Sequence, residues 1–155
     1  MMAEAKVKTV VKLRVEGTCP THARTDILAR DTELTIDEPK ERGGTNLGPS
    51  PTETMLAALA GCTSVISQKI AHKHGAEFSN VSVDVVSTFD RRGVTLQEEV
   101  DVPFEDVQVM IEVTTDADDA TMDRIKTELP MFCPVSKVMR QSGSNVTDVW
   151  TVNRP

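Results

Sequence analysis

The sequence predicts an α+β domain, with helices packed against antiparallel sheets around one long central helix. Three observations carry that expectation. An early stretch alternates apolar and polar residues. A middle stretch, Ser50 to Gly75, has a full set of helix start and stop signals. Later alternating runs are joined by two shorter helical patterns and a last strand. At 155 residues the chain has the length of one domain, 1–155, and can bury a core without disulfide staples.

The first element is a half-buried strand over residues 6 to 16, with Val7, Thr9, Val11, Leu13 and Val15 on one face and Lys8, Lys12, Arg14 and Glu16 mostly on the other. Gly17-Thr18-Cys19-Pro20 reads as a turn, which makes Cys19 an exposed loop residue. Ala23 to Asp31 and Glu33 to Asp37 complete an antiparallel meander, and in an unbroken second strand Arg24, Asp26, Leu28 and Arg30 share a face.

From Asp37 the chain turns rich in Gly and Pro, DEPKERGGTNLGPSP, a loop leading to the central helix. Its two glycines resemble a phosphate cradle only superficially, because the Lys-Ser/Thr that follows in a P-loop is absent.

The helix itself opens with Ser50 as N-cap, Pro51 at the first helical position and Glu53 as the capping-box partner of Ser50. Gly75 after Lys73-His74 provides the stop. Met55, Leu59, Cys62, Ile66 and Ile70 form the expected buried stripe, flanked by Leu56, Ala60 and Val65. Between Met55 and Cys62 there is almost no polar side, so such a helix needs cover on more than one face, and a homodimer sharing its core is expected.

Val81 to Phe89 and Val107 to Val113 alternate as two further strands, separated by a charged loop from Asp90 to Asp106. Asp118 to Leu129 reads as a helix ended by Pro130. A second short helix starts at Pro134, which puts Cys133 at its N-cap, and closes at Gly143. Asn145 to Val152 is a final strand, with Trp150 as the one large aromatic anchor.

Composition narrows the function classes. A net charge of −7, one Trp, four Phe and no Tyr argue against nucleic-acid binding, which wants basic surface and stacking platforms. The N-terminal residues lack the apolar core of a signal peptide and no 18-residue uncharged apolar run occurs, so a cytoplasmic protein with no membrane partner is expected. Three widely spaced cysteines fit neither a disulfide framework nor a metal knuckle, which leaves reduced thiols with a redox role as the natural reading.

Each thiol has two readings. Cys62 is either a small core hydrophobe or a nucleophile that needs a nearby cation, since burial disfavours the thiolate. Cys133 either fills a corner behind a proline turn or, at a helix N-terminus, is tilted toward thiolate by unsatisfied N–H groups and the positive dipole end. Metal binding by Cys62, Cys133, His72 and His74 is a weaker alternative, because the two histidines diverge on a helix and no CxxC pair exists. His22 reads as a solvated strand-end residue, and no motif sets a histidine against a cysteine for hydrolysis.

GGTNLGPSPTETMLAALAGCTSV, followed 71 residues after its cysteine by FCPVSKVMRQSGSNV, resembles the OsmC/Ohr family of osmotically inducible and organic hydroperoxide resistance proteins. The Asp-Glu-Pro before the Gly-Gly loop is similar to the broader OsmC-like branch. The resemblance implies an intertwined homodimer and a thiol peroxidase that reduces hydroperoxides with neither metal nor flavin. Cys62 matches its peroxidatic position and Cys133 its resolving one, with a dithiol or lipoyl group as external reductant. It also implies an arginine beside Cys62, matched by Arg24 or, second, Arg30, and a glutamate holding that arginine. Relatives with strong activity place the glutamate where this chain has Thr52; Glu53 stands one position later and is equally a capping residue. A stress-related binding protein of the same fold with little peroxidase turnover is the alternative.

Overall fold

The computed structural model describes residues 8–155, which divide into two compact units, one ending at Thr54 and the other Met55–Pro155. The first holds a three-stranded antiparallel sheet, β1 (Glu16–Thr18), β2 (Arg24–Ala29) and β3 (Thr32–Asp37), in that spatial order. Pairs such as Glu16↔Leu28 and Arg24↔Asp37 set its register. Arg30 takes the turn between β2 and β3 with φ 58°, so it leaves the strand face it was expected to share with Arg24.

The strand expected over residues 6 to 16 is shorter and later. Residues 8–15 are irregular and Leu13 is 89% exposed, while Lys6 and Val7 lie outside the described residues. Alternation supplies an apolar face, but a strand also needs a ladder, and β2 offers partners only to Glu16–Thr18. Gly17 and Thr18, expected in a turn, are therefore paired, and the chain bends at Pro20–Ala23 instead.

The Gly-rich loop does cradle an anion, though one of its own. Asp37 is fully buried, and its Oδ2 accepts from Thr45 N at 3.0 Å, Thr45 Oγ1 at 2.6 Å and Leu47 N at 3.1 Å. These bonds hold the carboxyl below its usual range, the Thr45 hydroxyl contributing most. A Cβ on Gly44 would stand 1.7 Å from the Glu38 carbonyl oxygen, and one on Gly48 2.0 Å from that of Thr35, which is why only glycine lets the loop pass.

Helix α1 (Pro51–Lys73) has the expected ends. Ser50 N donates to Glu53 Oε2 at 2.8 Å and Glu53 N to Ser50 Oγ at 3.4 Å, a reciprocal capping box. At the other end Gly75 (φ 74°) donates to His72 O and Ala76 N to Ala71 O, a Schellman closure. The length and mean hydropathy of 1.2 would suit a bilayer span, yet Leu59, Ile70 and Ala71 belong to a protein core.

The second unit contains β4 (Ser79–Ser87), β5 (Asp106–Thr114), α2 (Asp119–Phe132), α3 (Pro134–Gln141) and β6 (Asn145–Asn153). The sheet order is β4-β5-β6, with β4 antiparallel and β6 parallel to β5. The expected all-antiparallel pattern fails at β6 because α2 and α3 form a connection long enough to return the chain in the same direction. Val107, Val109, Ile111 and Val113 on one face of β5 pack in a core with Met122, Ile125 and Leu129 of α2. Phe78 and Trp150 meet edge to face at 6.2 Å, so Trp150 anchors β6 as expected.

Two expectations about the helices change. Helix α2 continues through Pro130 to Phe132, since a proline three residues from the end forfeits one bond and Cys133 N still reaches Leu129 O at 2.9 Å. On α1 the buried residues past its first turn are Leu59, Thr63, Ser67, Ile70 and Ala71; Cys62 and Ile66 are half-buried and Met55 and Val65 exposed. A helix apolar nearly all round does not announce which side the core takes. Small hydroxyls fit the closely packed side, Ser67 Oγ donating back to Ser64 O at 3.1 Å.

Candidate functional site

Cys62 sits in the middle of α1, and Cys133 is the single residue between α2 and α3, the C-cap of one and N-cap of the other. Its extended backbone (φ −76°, ψ 105°) breaks the helical path, and Pro134 restarts it at the first position of α3. That corner directs the Cys133 thiol toward α1, and its S–H donates to Cys62 Sγ across 3.2 Å. Both cysteines are reduced. A thiol 71 residues away in sequence is thereby brought to contact, and closing the gap to a disulfide length of ~2.0 Å needs a movement of about 1 Å.

The two sulfurs differ in access, and burial shifts the less accessible one. Cys62 is half-buried, whereas Cys133 is 0% exposed. Burial pushes the Cys133 thiol up to about 11, opposed by the Ser136 backbone N–H and the Thr63 hydroxyl and reinforced by the neighbouring Cys62. Of the two readings of Cys133, this goes against the one in which the helix N-terminus tilts it toward thiolate: one backbone donor and a short helix do not offset removal from water. In the contact between them Cys133 is the donor and Cys62 the acceptor.

The other expected site residues lie in the first unit, each with a local partner. Arg24 forks onto Asp26, Nε to Oδ1 at 2.8 Å and Nη2 to Oδ2 at 3.0 Å, while Thr35 Oγ1 donates to the same Oδ1 at 3.2 Å. The Asp26 contact raises the guanidinium above its ordinary range. Glu53 accepts from both the backbone N and the Oγ of Ser50 at 2.8 Å, and those bonds lower its carboxyl. Thr52 Oγ1 is 3.2 Å from Ser50 Oγ. The carboxylate holding Arg24 is that of Asp26, not of Glu53.

Cys19 is exposed, with its sulfur 3.6 Å from Thr25 Oγ1. His74 Nε2 and Lys73 Nζ each lie 2.9 Å from a Glu128 oxygen, tying the end of α1 to α2, and His72 is exposed. Among the described residues no group of three or more His, Cys, Asp and Glu is placed to hold a metal ion.

Thr63 and Ser136 also act on the Cys133 thiol, Arg140 bonds to Ser136, and the sequence alone pointed to none of the three. Thr63 and Ser136 stand in the Gly-Cys-Thr and Cys-Pro-Val-Ser runs as residues facing Cys133, and Arg140 follows Ser136 by four, the spacing of one helical face.

Comparison with known proteins gives a consistent result. Residues 44–147 match the family described as OsmC-like protein. The fold is shared with the OsmC-like protein of Mycoplasma pneumoniae, at a TM-score of 0.72 and 13% identity over 93% of this chain and 97% of that one. An organic hydroperoxide resistance protein OsmC of Legionella pneumophila aligns at 0.61 and 16% identity, covering 94% of this chain and 99% of that one. The organic hydroperoxide resistance protein OhrB of Bacillus subtilis aligns at 0.59 and 19% identity, covering 91% and 98%. No curated protein sequence matches the chain.

Proposed function

The chain belongs to the OsmC-like protein family, and from that membership and its paired thiols we propose that it is a cysteine-based peroxidase reducing organic hydroperoxides and hydrogen peroxide. The single observation that carries the reading is the 3.2 Å contact between Cys62 and Cys133. Cys62, the half-buried sulfur, is the one a peroxide reaches. Its thiolate attacks the distal peroxide oxygen and the O–O bond breaks, leaving a sulfenic acid, while the departing alkoxide or hydroxide takes up the proton that the thiol had given up and leaves as alcohol or water. Cys133 then attacks that sulfur, the hydroxyl departs as water with the Cys133 proton, and a disulfide remains. A dithiol or lipoyl-type reductant takes the disulfide back to two thiols.

The same reading includes a cytoplasmic homodimer. Two observations support a second copy: the described part of the first unit contains no buried apolar residue, and α1 leaves Met55 and Val65 uncovered. Arg24 and Glu53 would assist at the peroxide site.

The test is consumption of an organic hydroperoxide by the reduced protein with a dithiol. Turnover in the wild type and its loss in Cys62→Ser is the expected result; equal turnover in that variant excludes the mechanism. A second reading, a stress-related binding protein of this fold with little turnover, is favoured by Arg24 and Glu53 being held by Asp26 and Ser50. It predicts a disulfide that closes with oxidised dithiothreitol in a protein that does not consume hydroperoxide.

A further inference from the structure

We propose that Arg140 is a positioning residue for the resolving thiol, holding the first turn of α3 so that Cys133 Sγ faces Cys62 Sγ; this rests on the peroxidase reading above. Helix α3 has eight residues, too few to keep its shape without tertiary support. Its first turn supplies the Ser136 N–H that faces the Cys133 sulfur, so any loosening there moves the thiol. Arg140 lies one turn later on the same face and is the residue that ties this turn down.

Each of its three guanidinium nitrogens donates a hydrogen bond. Nε donates to Ser136 Oγ at 3.1 Å, Nη1 to the Val146 carbonyl at 2.7 Å and Nη2 to Asp148 Oδ2 at 3.2 Å. Val146 and Asp148 stand on β6, opposite Val107 and Val109 of β5, so the anchor is the most buried strand pair of the unit. An ordinary surface ion pair would need only the Asp148 contact and would contribute little. Here the same guanidinium also grips Ser136, itself 3% exposed, on the turn that carries the thiol. A lysine could keep the charge opposite Asp148, yet its single ammonium cannot span three separated acceptors. Asp148 is itself mostly buried, and Arg140 offsets the upward push that burial gives its carboxyl.

The experiment separates the two oxidation steps in the full chain. After a pulse of organic hydroperoxide, the Cys62 sulfenic acid is captured with a dione probe in one arm, and the Cys62 to Cys133 disulfide is followed by mass in the other. In Arg140→Lys, capture is expected at the wild-type rate while disulfide closure slows roughly tenfold to a hundredfold, so sulfenic acid accumulates. Closure at the wild-type rate, or slowing of both steps alike, overturns the proposal. If Arg140→Lys does not fold, Ser136→Ala, which removes only the hydroxyl, carries the same expectation and the same two overturning results.

A third measurement needs no peroxide. Equilibration against oxidised and reduced dithiothreitol, in which the dithiol is oxidised as the protein disulfide is reduced, reads how readily the two sulfurs pair. The variant is expected to form less disulfide at a given ratio. If the wild type forms no sulfenic acid with hydroperoxide while Arg140→Lys still shows this shift, the peroxidase reading is refuted and the role of Arg140 stands; an unshifted equilibrium in the variant refutes the role itself.

Discussion

Cys133 donates its S–H to the Cys62 sulfur across 3.2 Å, so the donor of the pair is the member that water does not reach. Access alone therefore separates the two thiols as targets. In a time course with iodoacetamide at neutral pH, Cys62 and the exposed Cys19 are expected to be alkylated at least about tenfold faster than Cys133. Peptide mapping checks this, and equal rates at Cys62 and Cys133 would contradict the geometry.

The high Cys133 value makes stability depend on alkaline pH. A thiol ordinarily near 9.0 that is held at about 11 in the folded protein keeps its proton longer than in the unfolded chain. Its contribution is therefore complete below about 9 and is lost as pH rises toward 11. Allowing for solvent screening, the loss is about 1–2 kcal/mol. Denaturant midpoints of the reduced protein from pH 8 to 11 should show it, and Cys133→Ala should flatten that part of the curve.

Acid acts in the opposite direction through Glu128. Lys73 and then His74 hold its carboxyl below the usual 4.5, so the stabilisation is present above that value and fades as pH falls through the lower folded one. Thermal midpoints between pH 6 and 3 should fall less steeply in Glu128→Gln than in the wild type. Asp90, held at about 2 by Arg92, is unchanged in both proteins and does not affect the difference.

Gly75 isolates a backbone effect. Its φ of 74° is left-handed, and a Cβ there would meet nothing within 4 Å, so substitution costs conformation and not contact. Gly75→Ala is expected to lose about 1 kcal/mol in urea unfolding, and Gly75→Asn clearly less, because asparagine tolerates that region. Equal losses would point to packing that the structure does not contain.

Much of the chain was legible before folding was considered. Ser50, Glu53 and Gly75 mark the ends of α1 within one residue of those observed, because capping is decided by bonds within a single turn. The alternation of β4 and β5 likewise survives, since their inner residues meet a core of the same unit. The N-terminal alternation did not, as residues 8–15 find no ladder partner. Arg30 slipped from the strand face into a turn for a similar reason: where a hairpin reverses depends on the register of both strands.

The order of helices and strands, the start and stop of the central helix and the two Cys-containing motifs come from the amino-acid order alone, through interactions spanning a few residues. Folding decided what depends on distant neighbours: the parallel return of β6, the side of α1 that is buried, and the contact of Cys133 with Cys62. It also decided the upward push on the Cys133 thiol. Desolvation sums the whole surroundings of an atom, and no local pattern around Cys133 records how completely water is removed from it.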